Sequence, residues 1–334
     1  MSSAQETVKK PQPVGSRAIR PSSSVVLVSP ANQVLLLHRV QTSTSFPSAH
    51  VFPGGNIDPK QDGQLPEDPI QAHQDSPVYR LAAIRECFEE SGILLAKRKA
   101  DGRVVRLPAP TLEETRHQIH QQKLGFTQWL AQIEAYADVD GLVPFTRWVT
   151  PAGVKRRFTT QMYVYFMPLL TSVDEAHDIP TSDGGLEHTE VRFDDSSSWL
   201  ETASSGKIML FPPQVYLLSH VATYLPGVKG INSASKAKAL QEQRDNLVAF
   251  LQRPQDGDDV CARTSWAEKV ISPTAAGKCA DGRIIMTLEH PGPELKAAGR
   301  HGDRERVVIG KFTKDGVSAV EVRMRNDVAL SLKL

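Results

Sequence analysis

The chain has little cysteine, almost no net charge and no long apolar run. Its three cysteines (Cys87, Cys261 and Cys279) are widely spaced and form no CxxC pair. This spacing argues against a disulfide framework and a zinc cluster, and it favours a reducing intracellular compartment. The 39 basic and 38 acidic side chains nearly cancel to +1. No overall electrostatic field therefore draws the chain to nucleic acid or to a membrane surface.

The sequence also lacks a membrane-spanning or secretory segment. No apolar run approaches the roughly 18 residues that cross a bilayer, and the N-terminus has no apolar signal core. We interpret residues 1–23, rich in Ser, Pro, Lys and Arg, as a disordered tail, with a mitochondrial presequence as the alternative. The ending Leu332-Lys333-Leu334 resembles a peroxisomal address except at its first position. We expect an intracellular protein, with peroxisome, mitochondrion and cytoplasm all open.

What the sequence does contain is a succession of β-rich and helical segments. The expected order is a hairpin over 22–40 turning at 30–32, a long surface loop over 56–76, a helix from Pro77 to Gly92, a helix or helix pair over 111–136, a strand over 158–170 and a helix over 212–224. Thr111 and Glu114 match a capping box at the start of the helix pair. This order predicts an α+β fold.

The last third of the chain has a different character. Residues 229–255 look like a polar connector with a helix near 234–251, and three β-rich runs follow at 283–289, 306–312 and 319–323. We therefore divide the chain into a tail (1–23), a main domain (24–228) and a β-rich C-terminal extension (229–334).

Three glutamates on the first predicted helix are the main chemical signal. At about 100° per residue, Glu86, Glu89 and Glu90 share one face, while Ile84 and Phe88 belong to an apolar stripe. Clustered like charges repel one another, and a bound Mg²⁺ or Mn²⁺ would remove that conflict because these cations prefer oxygen ligands. The same geometry is typical of a solvated acidic helix face. Only the surrounding sequence can distinguish that interpretation from a metal site.

The surrounding residues resemble a known family. Gly55 together with the segment 85–93, RECFEESGI, resembles the Nudix box, G-x5-E-x7-R-E-U-x-E-E-x-G-U, where U is bulky and apolar. The lead-in 52–55, FPGG, also matches. The resemblance implies an α/β/α sandwich with a mixed β-sheet, and metal-dependent hydrolysis of a nucleoside diphosphate linked to another group.

An insertion interrupts this box. Gly and Arg are 14 positions apart in the family pattern, whereas here 85 − 55 = 30, so 16 residues are extra. The first box acid has no unique counterpart, and Asp75, Asp58 and Glu67 are the candidates, Asp75 also being a possible helix N-cap. A similar insertion marks the peroxisomal coenzyme A diphosphatases, and the stretches RWVTP (147–151) and RRFTT (156–160) extend that similarity over residues 24–225. The arginine- and glycine-containing part of the bacterial coenzyme A signature is missing.

The resemblance also implies roles for individual residues. It implies that Glu86, Glu89 and Glu90 bind Mg²⁺ or Mn²⁺ and that Arg85 orients Glu89. We further expect substrate contacts from Gly54, Gly55, Arg39, Arg156 and Arg157, and a general base in Glu190 or, less well matched, Glu187. Cys87 should lie in the core, and we interpret all ten histidines as surface or loop residues.

The predicted function is hydrolysis of coenzyme A or acyl-coenzyme A, with a small-molecule nucleotide diphosphate as partner. The alternatives are a diphosphatase acting on a nucleotide sugar, a dinucleotide or capped RNA, and a Nudix-fold module that binds without hydrolysis. Neither terminus carries a basic stretch interleaved with aromatic residues, so a nucleic acid partner is disfavoured. The sequence does not predict an oligomeric state.

Overall fold

The computed structural model describes residues 19–41, 47–169, 180–181, 187–228, 233–254, 260–313 and 316–332. The strands are β1 Arg20–Val28, β2 Val34–Arg39, β3 His50–Val51, β4 Gly54–Asn56, β5 Ala96–Arg98, β6 Ala135–Ala137, β7 Val143–Val149, β8 Phe158–Phe166, β9 His188–Asp194, β10 Val270–Ile271, β11 Thr274–Lys278, β12 Ile284–Leu288, β13 Asp303–Thr313 and β14 Gly316–Met324. The helices are α1 Pro77–Ser91, α2 Ala109–His120, α3 Phe126–Gln132, α4 Ser196–Ser204, α5 Pro212–Tyr224, α6 Ser233–Gln252, α7 Val260–Arg263 and α8 Arg325–Leu332.

The main sheet is mixed. Strands β10, β7, β8, β1, β2 and β3 lie side by side in that order, while β4 also pairs with β1 and β9 also pairs with β2. The pairs β1–β8 and β10–β7 are parallel, and the other pairs of this sheet are antiparallel. Strand β1 is central and buried along most of its length.

Helices cover both faces of this sheet. Successive side chains of a strand point to opposite faces, so Val25 and Leu27 of β1 pack with α1, α2 and α3, whereas Val26 and Val28 pack with α4, α5 and α6. The predicted α/β/α sandwich with a mixed sheet and a strand-rich C-terminal region is thus confirmed.

Local signals placed several elements correctly. The predicted hairpin is β1–β2, and Asn32 in its turn has a positive φ of 62°. The first strand begins at Arg20, inside the predicted tail, because Arg20–Val28 pairs residue by residue with β8. Residues 1–18 lie outside the described part of the chain.

The loop prediction holds only in part, and two predictions about helix caps were wrong. The segment 56–76 contains a 3₁₀ turn at Gln71–His73, and Asp62 and His73 within it are buried, so it is more than a surface loop. Helix α2 begins at Ala109 after Pro108, which places Thr111 inside its first turn and removes the proposed capping box. Likewise Ser76, not Asp75, occupies the N-cap position of α1.

The C-terminal extension packs onto the main domain. Strand β10 joins the main sheet beside β7, and β11–β14 form a second, antiparallel sheet in sequence order. Trp266, Met286 and Val308 belong to the same apolar cluster as Trp199 and Tyr216 of α4 and α5. Within the described ranges, no helix is both long enough and apolar enough to cross a membrane.

Candidate active site

Helix α1 places the three glutamates beside the central strand. Pro77 starts the helix, and Gly92 ends it in a left-handed conformation (φ 73°) with its N–H bonded to the Phe88 carbonyl. Ile84, Cys87 and Phe88 are buried among the side chains of the sheet. The other side of the helix therefore presents Glu86, Glu89 and Glu90 to the segment between β3 and α1, which includes β4.

Two glycines let the backbone approach these carboxylates closely. The Gly54 N–H donates a 2.8 Å hydrogen bond to Oε2 of Glu90. A Cβ on Gly55 would lie 2.5 Å from both carboxylate oxygens of Glu86. Only a residue without a side chain leaves Glu86 its present position, which explains why glycine is needed there.

Arg85 connects the acidic residues to one another. Its guanidinium donates to Oε1 of Glu86 at 2.9 Å, to Oε1 of Glu89 at 2.8 Å, and through two atoms to Asp62, at 2.7 Å each. Burial alone would lower the pKa of Arg85, but the neighbouring Glu86 and Asp62 carboxylates raise it above its ordinary value. Arg85 therefore stays charged and holds its neighbours in fixed rotamers.

Asp62 is the acid that the sequence reasoning missed. Among the expected candidates, Asp75 pairs with Arg80 at 2.7 Å, and Asp58 accepts from Gln122 at 3.0 Å. Glu67 is exposed. Asp62 lies 62 − 55 = 7 residues after Gly55, whereas the family spacing of 6 falls on the neighbouring Gln61, so an offset of one residue hides Asp62 from a count along the sequence.

Burial and the repulsion of neighbouring carboxylates raise the pKa values of both Glu86 and Glu90. Burial, and after it the charge of Glu89, raises the pKa of Glu86 to about 7 against the pull of Arg85. Burial and the charge of Glu86 raise the pKa of Glu90 well above its usual range, although the Gly54 N–H opposes this. Two neighbouring acids with raised pKa values favour either a proton or a bound cation.

The predicted metal site stays a prediction. Among the residues that the structure describes, no group of three or more His, Cys, Asp or Glu side chains is arranged to hold a metal ion. Arg85 instead bonds one oxygen each of Glu86 and Glu89. The donors are nevertheless carboxylate oxygens, which Mg²⁺ and Mn²⁺ prefer.

Two cavities flank these carboxylates. One, of about 520 Å³, is lined by the three glutamates and by Lys60, His120 and Gln122. The other, of about 370 Å³, is lined by Glu86, Glu90, Gly54, Gly55, Glu187 and three arginines, Arg20, Arg39 and Arg156. The second cavity thus combines arginines, which bind phosphate oxygens well, with the acidic cluster.

Comparison with known proteins agrees with this geometry. Residues 64–221 match the family described as NUDT19 Nudix domain. This segment, 158 of the 334 residues, is therefore a Nudix domain. The domain is similar to the NUDT19 branch.

Two curated relatives share this Nudix segment. A "Putative nudix hydrolase 7" of Caenorhabditis elegans is 31% identical over 61% of this chain and 60% of its own length. An "Acyl-coenzyme A diphosphatase NUDT19" of Xenopus laevis is 29% identical over 58% of this chain and 60% of its own length. The chain therefore spans about 60% of the length of these relatives.

A solved structure shows the same fold. The crystal structure of a NUDIX hydrolase from Alicyclobacillus acidocaldarius covers 62% of this chain and 92% of its own, with a TM-score of 0.50 and 20% identity. At that identity the similarity establishes the Nudix fold and carries no statement about substrate.

Not every residue expected at the Nudix site lies there. Arg157 pairs with Glu294 of the extension and donates to the Thr150 carbonyl at 3.0 Å, so it is occupied away from the carboxylates. Glu190 pairs with Arg192 at 2.9 Å, and its side chain is 53% exposed on β9. Glu187, the less favoured of the two base candidates, lines both cavities and contacts Arg39 at 3.3 Å.

The cysteine expectation is confirmed, whereas the histidine expectation was wrong. Cys87 is fully buried, and this burial raises the pKa of its thiol to about 12. His50, His73, His188 and His220 are buried as well: His50 and His188 lie on strands of the sheet, His220 lies on α5, and His73 lies in the 3₁₀ turn that precedes α1. His188 lies 3.7 Å from Glu90, and His120 lies 3.3 Å from Glu89.

Proposed function

We propose that the protein is a Mg²⁺- or Mn²⁺-dependent diphosphatase acting on coenzyme A or acyl-coenzyme A. The observation that carries this proposal is the pair of neighbouring carboxylates, Glu86 and Glu90, held against the glycines of β4 beside an arginine-lined cavity. The acyl-coenzyme A diphosphatase name of the Xenopus laevis relative supports the choice of substrate.

Glu86, Glu89 and Glu90 would hold the divalent cation. When bound, such a cation neutralises the diphosphate and lowers the pKa of a water molecule. Arg85 keeps Glu86 and Glu89 oriented, and the Gly54 N–H does the same for Glu90. These contacts organise the acids before substrate binds, which reduces the reorganisation that the reaction requires.

Arg39 and Arg156 would bind the phosphate oxygens in the arginine-lined cavity. Their guanidinium groups match phosphate geometry and offset the negative charge that the glutamates bring to the same space. Glu187 would accept the proton of the attacking water; its presence in the linings of both cavities supports this role.

The reaction is hydrolysis of one phosphoanhydride bond. The oxygen of water forms a bond to one phosphorus, and the bond from that phosphorus to the bridging oxygen breaks. The bridging oxygen leaves with the other phosphorus, and the water proton passes to the base. From coenzyme A the products are adenosine 3′,5′-bisphosphate and 4′-phosphopantetheine.

The test is a product-resolved assay on the full chain. Coenzyme A, ADP-ribose and a diadenosine polyphosphate are incubated with Mg²⁺ or Mn²⁺, and products are identified by mass spectrometry. We expect adenosine 3′,5′-bisphosphate from coenzyme A, and loss of its release in Glu86→Gln and Glu90→Gln. Glu201→Gln, an exposed acid on α4, serves as the matched control.

A second readout is independent of turnover. Mn²⁺ binding measured by electron paramagnetic resonance should weaken in Glu86→Gln and Glu90→Gln and stay as in the wild type in Glu201→Gln. Hydrolysis of the other nucleotides without hydrolysis of coenzyme A would overturn the substrate assignment. Nucleotide binding without any metal-dependent turnover would instead indicate a non-hydrolysing module.

A further inference from the structure

A third cavity, almost entirely apolar, lies next to the arginine-lined one. It has a volume of about 340 Å³, and its lining includes Trp148, Val149, Met162, Phe211 and Met286. Cavities of this size and composition are typical of sites for small apolar groups. None of the residues to which we assigned a function occupies it.

The two cavities are parts of one groove. Their linings share the same five residues, namely Ser24, Val51, Phe158, Thr160 and Gln214. A single elongated molecule can therefore place an anionic part beside Arg39 and Arg156 and an apolar part in the third cavity. The groove changes from charged to apolar along its length.

Three hydroxyl side chains line the apolar cavity, and each makes a hydrogen bond within the protein. Ser24 donates to the Pro53 carbonyl at 2.7 Å, Thr150 accepts from the Phe158 N–H at 3.0 Å, and Thr160 bonds Ser22 at 2.7 Å. A nucleobase needs several hydrogen-bond partners, whereas most side chains of this lining are apolar, and Gln214 lies where the cavity adjoins the arginine-lined one. An aliphatic chain needs none, so the lining favours it.

The C-terminal extension completes the wall of this cavity. Pro273 precedes β11, Met286 lies on β12, and Phe312 lies on β13. Pairing of β10 with β7 and the ion pair between Arg157 and Glu294 hold the extension in place. The extension therefore contributes to the shape of the groove as well as to the core.

We propose that this apolar cavity receives the acyl chain of an acyl-coenzyme A and that the extension limits how much chain it accepts. The inference rests on the proposed function, because the adjoining subsite has to hold the diphosphate. An acyl chain in this cavity should make acyl-coenzyme A bind more tightly than free coenzyme A, since each buried methylene adds to the free energy of binding.

Val154 offers a way to block the cavity without disturbing the core. It lines the cavity, yet it is 46% exposed, so a tryptophan there covers the opening and finds room at the surface. Val260 on α7 is 49% exposed and lines none of the three cavities, so Val260→Trp is the matched control.

The experiment compares wild type, Val154→Trp and Val260→Trp in two assays. Turnover of coenzyme A and of octanoyl- and dodecanoyl-coenzyme A is measured with Mg²⁺, and binding of the same compounds is measured calorimetrically in EDTA. For each acyl-coenzyme A we divide its kcat/KM, and likewise its affinity, by the value for coenzyme A. We expect both ratios to fall by about tenfold in Val154→Trp. Val260→Trp should keep the wild-type ratio.

The two assays separate the two proposals. If wild type binds octanoyl-coenzyme A no more tightly than coenzyme A, or if Val154→Trp keeps the wild-type ratio, the acyl-chain site is wrong even when coenzyme A is hydrolysed. If the acyl preference in binding is present and is lost in Val154→Trp, the site is supported. Absence of turnover would then count against the diphosphatase proposal alone.

Discussion

The Arg85 guanidinium donates two hydrogen bonds of 2.7 Å to the Asp62 carboxylate, which joins α1 to the loop that precedes it. The pair is buried, with 5% and 0% of the side chains exposed. Since the same guanidinium also bonds Glu86 and Glu89, Asp62 acts on the carboxylate cluster without facing the cavities itself.

We expect Asp62→Asn to destabilise the protein and to lower its activity. Loss of one partner of a buried ion pair costs about 3 kcal/mol, at the low end of the usual range because Arg85 keeps Glu86 and Glu89. Urea unfolding measures the first effect and coenzyme A turnover the second. Asp101→Asn removes an exposed partner of Arg98 and should change neither. Equal results for the two variants would contradict the role of Asp62.

Gly55→Ala should affect metal binding more than folding. The added Cβ would contact the carboxylate end of Glu86, which is flexible enough to move away. The free energy of unfolding should therefore fall by only about 1 kcal/mol. The displaced carboxylate should weaken Mn²⁺ binding at least about tenfold, a loss near 1.4 kcal/mol. Gly277→Ala on β11, where the nearest atom lies 4.0 Å away, is the control. A Gly55→Ala variant with wild-type Mn²⁺ affinity would show that the close approach is unimportant.

Glu187→Gln should reduce turnover far more than Glu190→Gln. Glu187 lines both cavities beside the carboxylates, while Glu190 pairs with Arg192 on β9. Loss of a general base lowers kcat by about a hundredfold or more. Single-turnover rates at saturating Mg²⁺ measure this effect, and the reverse order of the two variants would restore Glu190 as the base.

His220 should make the protein sensitive to acid. Burial, and to a lesser degree Arg306, lowers its pKa from 6.5 to about 3. Below pH 6.5 the unfolded chain therefore binds a proton at His220, whereas the folded protein does not. The contribution of His220 to the free energy of unfolding is thus fully present above pH 6.5 and is lost as the pH falls toward 3. His220 alone changes the free energy of unfolding with a slope of at most about 1.4 kcal/mol per pH unit.

His220→Phe tests that slope. The ring lies among Tyr216, Phe250 and Trp266, and its Nε2 makes no hydrogen bond in the described structure, so phenylalanine should fit. Unfolding free energies at pH 7.5 and pH 5 should differ less in His220→Phe than in the wild type. His290→Phe, at an exposed histidine, is the control. An unchanged difference would mean that other groups dominate the acid response.

The features that the sequence predicted well depend on local signals. Pro77 and Gly92 delimit α1, the turn near Asn32 delimits the hairpin, and the spacing of the glutamates places them on one face of a helix. Each of these signals lies within a few residues of the structure that it specifies, so no knowledge of the tertiary fold is needed.

The features that escaped prediction depend on long-range contacts. Asp62 lies in a loop without periodicity and becomes recognisable only when Arg85 folds against it. Arg157 belongs to a basic run, but its partner Glu294 is 137 residues away in sequence. The buried histidines fill sites that only the assembled sheet and helices create.

The parallel pairing of β10 with β7 also bears on how the protein is made. Val270 lies beside Arg147, 270 − 147 = 123 residues further along the chain. At ribosomal speeds of about 5 to 20 residues per second, β7 is synthesised roughly 6 to 25 seconds before its neighbour. During that interval the edge of the nascent sheet is open to pairing with other chains. Faster translation of the segment between these strands should therefore increase the yield of native protein.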